Sequence, residues 1–191
     1  MEELLFLSHR IPYPPNKGDK IRSYHLLKAL AAEYRVHVGT FIDDPVDWQH
    51  LDRLQELVAG EVKALKLDPL LAKIRGLSGL WRREPITLPY YRDSVMRSWV
   101  REILEQRSIT RIVVYSSGVA PLVWDDTLCK GVRRIIDFVD VDSQKWRQYS
   151  REHSGIMGWI YRREGKLLLH HERAVAAKFD ASLFVSKEEA R

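Results

Sequence analysis

The sequence predicts an α/β domain, a three-layer sandwich in which a mostly parallel sheet is covered by helices on both faces. Three observations predict it. Apolar, branched-rich runs of strand length alternate with segments of helical periodicity along the whole chain. The first such run is continuous rather than alternating, as in a strand buried on both faces. The 191 residues, 45% hydrophobic and 30% charged, suffice for one ordinary core, so a single domain over residues 1–191 is expected.

Leu4-Leu5-Phe6-Leu7 is the first strand, and it halts at Ser8-His9-Arg10 and a loop containing Pro12, Pro14 and Pro15. Residues 21–34 then place Ile21, Tyr24, Leu27, Leu30 and Ala31 on one helical face. Residues 35–42 alternate and stop at Asp43-Asp44-Pro45, a second strand that completes a βαβ unit. A helix over 47–59, a strand over 62–67, a helical region over 92–106 and a strand over 111–115 follow. A strand over 134–139, a long helix over 158–178 and a last strand over 181–185 complete the alternation. In such sheets ligands sit at the carboxyl ends of the strands near the topological switch point, so function is expected after the first, fourth and fifth strands. The sequence ends at Arg191 in what reads as the first turn of an unfinished helix, the mark of a piece of a longer protein.

Composition narrows the function classes. The net charge of +5 favours anionic partners, yet it is too small, without any nucleic-acid motif, to point to DNA or RNA. The single cysteine, Cys129, excludes an intrachain disulfide and a cysteine-based zinc cage and fits a reducing, cytoplasmic compartment. The Met-Glu-Glu start lacks the basic region of a secretory signal, and no run approaches the ~18 apolar residues of a membrane span.

Candidate chemistry starts in the first loop, where Gly18 and the cations Arg10, Lys17, Lys20 and Arg22 surround a predicted helix N-terminus. Unpaired helix amides and the positive dipole end favour phosphate there, and Gly18 admits a close approach; the plainer reading is a solvated connection with Asp19 as an N-cap. Neither GxGxxG nor a P-loop is present, so Asp43 and Asp44 read as turn residues rather than as a ribose site. Ser116 and Ser117 after the fourth strand either bond a sugar or phosphate or cap the next helix. No GxSxG elbow accompanies them. Of Asp137, Asp140 and Asp142, the last two share a side of an extended chain, and Asp140 is favoured for ligand contact over a purely capping role. His170-His171-Glu172 are adjacent on a helix and too divergent to chelate one ion, so no metal site is expected. Residues 63–91 space leucines, Ile74 and Trp81 at three and four with Lys66, Lys73, Arg75, Arg82 and Arg83 between them. That is either a membrane-surface helix or a core-facing helix interrupted by Gly76 and Gly79; residues 155–163 have the same flavour.

Several of these segments together resemble the N-terminal half of a retaining GT-B glycosyltransferase of family 4, in particular the sugar transferases of exopolysaccharide and exosortase (PEP-CTERM) systems. They are residues 5–30, the Asp137–Trp146 segment, Glu172 on the long helix and residues 179–189. The resemblance implies one Rossmann-like half of a two-domain architecture, the acceptor side, with a C-terminal donor-binding domain absent from this chain. It implies that the loop at Gly18 approaches the donor diphosphate and sugar with Asp19, Lys20 and Arg22 beside it, and that Asp140 faces the acceptor. Asp19 and Asp140 are then the catalytic candidates, and Gly18, Lys20, Arg22, Ser116 and Ser117 the substrate-binding ones. It further implies metal-independent transfer with retention, no cofactor beyond a nucleoside-diphosphate sugar, and an isolated chain without activity. The implied partners are the nucleotide sugar, a glycan or lipid-linked acceptor and an anionic membrane face. Two departures stand out. Gly18 is alone where many members have paired glycines, and Ser116-Ser117 stand where many have histidine. The rival from another class is a non-catalytic, phosphate-binding or interaction module of the same fold; an NAD(P)-dependent oxidoreductase or epimerase is disfavoured by the absent glycine fingerprint.

Overall fold

The computed structural model describes residues 1–125 and 127–190; Arg191, the end of the expected unfinished helix, lies outside the described residues, as does Asp126. Six strands form one wholly parallel sheet in the order β3-β2-β1-β4-β5-β6. They are β1 (Glu3–Ser8), β2 (Arg35–Ile42), β3 (Val62–Lys66), β4 (Ile109–Tyr115), β5 (Arg133–Asp137) and β6 (Ala181–Leu183). The order reverses between β1 and β4, so the topological switch point lies where those two strands end. β1 is central, paired with β2 on one side and β4 on the other, with Ser8 opposite Thr40 and Tyr115.

Alternation along β1 divides the core. Leu4 and Phe6 pack with Leu27, Val36, Val38, Leu54 and Tyr115 on one face, and Leu5 and Leu7 pack with Phe41, Met96, Trp99, Ile112 and Val114 on the other. Helices α1 (Gly18–Glu33) and α2 (Leu51–Leu57) cover the first face, and α5 (Ser94–Gln106) and the long helix α7 (Gly155–Lys178) the second. The expected three-layer α/β sandwich with a parallel sheet is therefore the observed fold.

Between them the chain adds α3 (Pro69–Arg82), α4 (Thr87–Tyr91) and α6 (Asp142–Glu152), and 3-10 turns at Pro45–His50 and Ser117–Val123. The sequence-based reading lacked α4 and α6 as separate helices. The core-facing alternative has the helix interrupted at Gly76 and Gly79, but α3 runs through both, capped at its start by Asp68, whose carboxylate accepts from the Leu70 and Leu71 amides. Arg83, in the left-handed conformation, ends it. The buried face of α1 also differs from expectation: it carries Lys20, Ser23 and Leu27, while Ile21 is exposed.

Candidate functional site

The carboxyl ends of β1, β4 and β5 surround a cavity of about 320 Å³ lined by His9, Asp19, Ser116, Asp140, Asp142 and Lys145. A more open cleft of about 550 Å³ continues from Asp140 and Lys145 along α6 past Arg147 and Arg151. The structure thus brings together residues from the three strand ends where function was expected.

His9, the first residue beyond β1, was not singled out by sequence reasoning. Its ring stacks on Tyr115, meets Tyr91 edge-on, and lies with Nδ1 3.4 Å from the Tyr115 carbonyl and Nε2 3.7 Å from Asp19 Oδ2. Burial holds its pKa below the ordinary value, and the Arg10 charge adds to this against Asp19 and Asp43, so the imidazole is neutral near pH 7 and able to accept a proton. Arg10 ties the loop together: Nη1 donates to Asp19 Oδ2 at 3.0 Å, and Nε and Nη2 donate in parallel to Asp43 at 3.2 and 2.8 Å.

The first turn of α1 carries Gly18 and Asp19, and its N-cap, Lys17, makes no side-chain capping bond. Its leading amides therefore lack the partner that an N-cap side chain normally supplies. Apart from its chain neighbours and its own helix backbone, no protein atom lies within 4 Å of where a Gly18 Cβ would stand, so the approach to this turn is open. Asp19 contributes a carboxylate to the cavity, and its carbonyl accepts from the Tyr115 hydroxyl at 2.9 Å.

Two of the residues expected at the ligand are paired with protein carboxylates. Lys20 is 1% exposed and its Nζ lies 2.6 Å from Asp47 Oδ2, so the cation is consumed inside the core and offers nothing to a ligand. Arg22, whose side chain stays 37% exposed, donates through Nε and Nη2 to Asp137 Oδ2 at 3.0 and 2.9 Å, which ties α1 to the end of β5.

Ser116 lines the cavity, with its amide donating to the Asp137 carbonyl and its hydroxyl accepting weakly from Gly118 N at 3.4 Å. Ser117 is buried, and its carbonyl bonds the His171 Nε2 at 2.9 Å, the contact that absorbs one half of the His170-His171 pair. Asp140 lies 2.5 Å and Asp142 3.9 Å from Lys145 Nζ, so these two carboxylates do share a side, held there by one cation. Burial and the Asp140 charge raise the Asp142 pKa despite Lys145. Among the described residues, no group of three or more His, Cys, Asp or Glu side chains is gathered as a metal site.

Among the described residues, three other than glycine have positive φ: Arg83 at the end of α3, Ser116 at 88° and Val139 at 66°. The last two both line the cavity. A β-branched residue there is strained, and such strain concentrates at functional sites.

No family model matches this sequence, and no curated protein matches it. Among solved structures, Phytolacca americana UGT2 complexed with UDP-2fluoro-glucose and pterostilbene superposes with a TM-score of 0.55 at 11% identity. The match covers 96% of this chain and 48% of that one. The fold is that of one half of a GT-B glycosyltransferase. At this identity the likeness is one of fold, and this chain spans about half the length of that protein.

Proposed function

We propose that this chain is the acceptor-side half of a family 4, retaining glycosyltransferase. It moves a hexose from a nucleoside-diphosphate donor to a glycan or lipid-linked acceptor, in exopolysaccharide or cell-envelope polysaccharide synthesis at the cytoplasmic face of the membrane. The observation that carries the reading is the convergence of His9, Asp19, Ser116 and Asp140 on one cavity at the switch point of this half-GT-B sheet. The shared fold supports it, since the Phytolacca protein was complexed with a UDP-sugar and a second small molecule.

In this reading a second Rossmann-like domain, outside the chain, holds the donor, and no metal or cofactor beyond the donor takes part. Each residue then has a task. The leading amides and positive end of α1 face the departing diphosphate, and Arg10 offsets the Asp19 carboxylate so that the anion is not repelled. Neutral His9 accepts a hydrogen bond from the acceptor hydroxyl, and Asp140 with Lys145 orients the acceptor sugar.

The test is turnover of nucleotide sugars by the protein extended beyond Arg191, with membrane extract as acceptor source. Transfer by the extended protein, none by the 191-residue chain, and at least a ten-fold lower kcat for Asp140→Asn are expected. Absence of turnover with every donor sinks the transferase reading and leaves the non-catalytic module.

A further inference from the structure

Helix α3 is packed inside out. Leu70, Ile74, Leu77 and Trp81 recur at i, i+4, i+7 and i+11, one stripe of the helix. They are 72, 65, 55 and 92% exposed, with Leu71 beside them at 60%. The buried face carries only the small residues Ala72, Gly76 and Gly79. A Cβ on Gly76 would stand 2.7 Å from Ile86 Cγ2 and one on Gly79 2.9 Å from the Glu84 carbonyl, so the backbone approaches too closely for the leucines to roll inward. Arg163 of α7 fixes this setting, donating from Nη2 to the Gly79 carbonyl at 2.8 Å.

The apolar surface continues onto α7. Ile156 and Trp159 precede Arg163 by seven and four residues on the same stripe, and they are 79 and 56% exposed. That stripe leads from the end of α3 outward by about two turns, roughly 11 Å. Along α3 itself the charge is of one sign, with Asp68 at its start held as the N-cap and Glu84 beyond its end paired with Arg92. Exposed Lys66, Lys73, Arg75, Arg82 and Arg83 border α3, Arg162 borders Trp159, and residues 69–83 contain no Asp or Glu.

We propose that α3 and the first turns of α7 form a surface that lies on an anionic lipid bilayer, with Leu70, Ile74, Leu77, Trp81 and Trp159 entering the acyl boundary and the cations meeting headgroup phosphates. Charge selects this occupant. A two-fold contact between copies of this chain would set the same cations against each other, whereas an anionic leaflet complements them. No described helix is long and apolar enough to cross a membrane, so the contact is one that lies on the surface. The surface adjoins the site: α3 leads into α4, whose Tyr91 packs edge-on against His9. A lipid-linked acceptor would therefore reach the cavity from the docked side. That last step rests on the proposed transferase reading; vesicle binding does not, because it is read without turnover.

Sedimentation with phosphatidylcholine vesicles, with and without phosphatidylglycerol, tests the surface on both the 191-residue chain and the extended protein. Both should bind anionic vesicles at least ten-fold more tightly than neutral ones. Ile74→Glu with Leu77→Glu should abolish binding, and Arg82→Gln should weaken it about five-fold, the equivalent of about 1 kcal/mol per cation near the surface. All three positions are exposed, so unchanged circular dichroism is expected of the variants. The proposal is overturned by no binding, by variants that bind like the parent, or by self-association that the double variant abolishes. Binding lost in the extended protein would assign the face to the second domain and overturn it equally.

Discussion

Replacing Arg10 by methionine removes the clamp between the first loop and the end of β2 while keeping most of the side-chain volume. Three charge-assisted hydrogen bonds disappear, two to Asp43 and one to Asp19. The three side chains are 23–30% exposed, between the surface limit, where such pairs contribute under 1 kcal/mol, and the buried limit of several. About 1 kcal/mol for each of the two pairs gives a loss of about 2 kcal/mol, or about 4–8 °C in Tm for a chain of this size. The pH dependence follows. Burial alone would raise the Asp43 pKa, but the Arg10 hydrogen bonds and charge outweigh it and hold the carboxyl below its ordinary 3.8. That contribution is complete above 3.8 and lost as pH falls through the lowered value. In Arg10→Met the largest influences holding the carboxyl down are gone, leaving burial opposed by a backbone hydrogen bond and the Lys17 charge, so the gap between variant and parent is widest near neutral pH and closes in acid. Thermal melting by circular dichroism across pH reads both. A Tm within 1 °C of the parent at neutral pH, or a gap that widens in acid, would refute the clamp.

Lys20→Met should be more severe, about 3–5 kcal/mol by urea denaturation, because it strands the Asp47 carboxylate, 5% exposed, without its cation. Adding Asp47→Leu should restore most of the loss, and a mild effect of the single change would refute the buried pair. His9, His37 and His171 are each held below the ordinary 6.5, by burial before any other cause. A depressed imidazole contributes stability that is complete above 6.5 and lost as pH falls towards its folded value. Glu164 and Glu172, raised by burial, act in the opposite sense above 4.5, so the parent profile alone mixes the two. The difference between parent and His9→Gln isolates one imidazole: the variant should lose less denaturation midpoint between about pH 7.5 and about pH 5, and parallel profiles would show that His9 is not buried neutral.

What the sequence discloses depends on how far away the deciding partner is. β2 is found at 35–42 because its alternation and its Asp-Asp-Pro stop are local. The inward face of α1 is misjudged because Lys20 is drawn into the core by Asp47, 27 residues on and invisible to helical periodicity. His9 escapes notice for the same reason: its environment comes from Tyr115, 106 residues away, and from Tyr91. In α3 the large-apolar stripe was legible and its direction was not. The missing signal was the opposite stripe, where Ala72, Gly76 and Gly79 sit at spacings of four and three, too small to fill a core and suited only to close backbone contact.

The Arg22–Asp137 pair helps to hold the site. Asp137 is buried at the end of β5, and both strained residues of the cavity lean on it: its carbonyl accepts from the Ser116 amide, and its Oδ1 accepts from the Val139 amide at 2.9 Å. A left-handed residue other than glycine costs of order 1–2 kcal/mol, and two adjacent to one another in space must be over-determined by their surroundings. Arg22 supplies that constraint from α1 by binding the second oxygen, Oδ2, with two donors. The helix that presents Gly18 and Asp19 is thereby locked to the loops that present Ser116 and Asp140. A cation expected to touch the ligand also sets the distance between the two sides of the site, and it can do so because the Asp137 carboxylate divides its two oxygens between a helix and a turn.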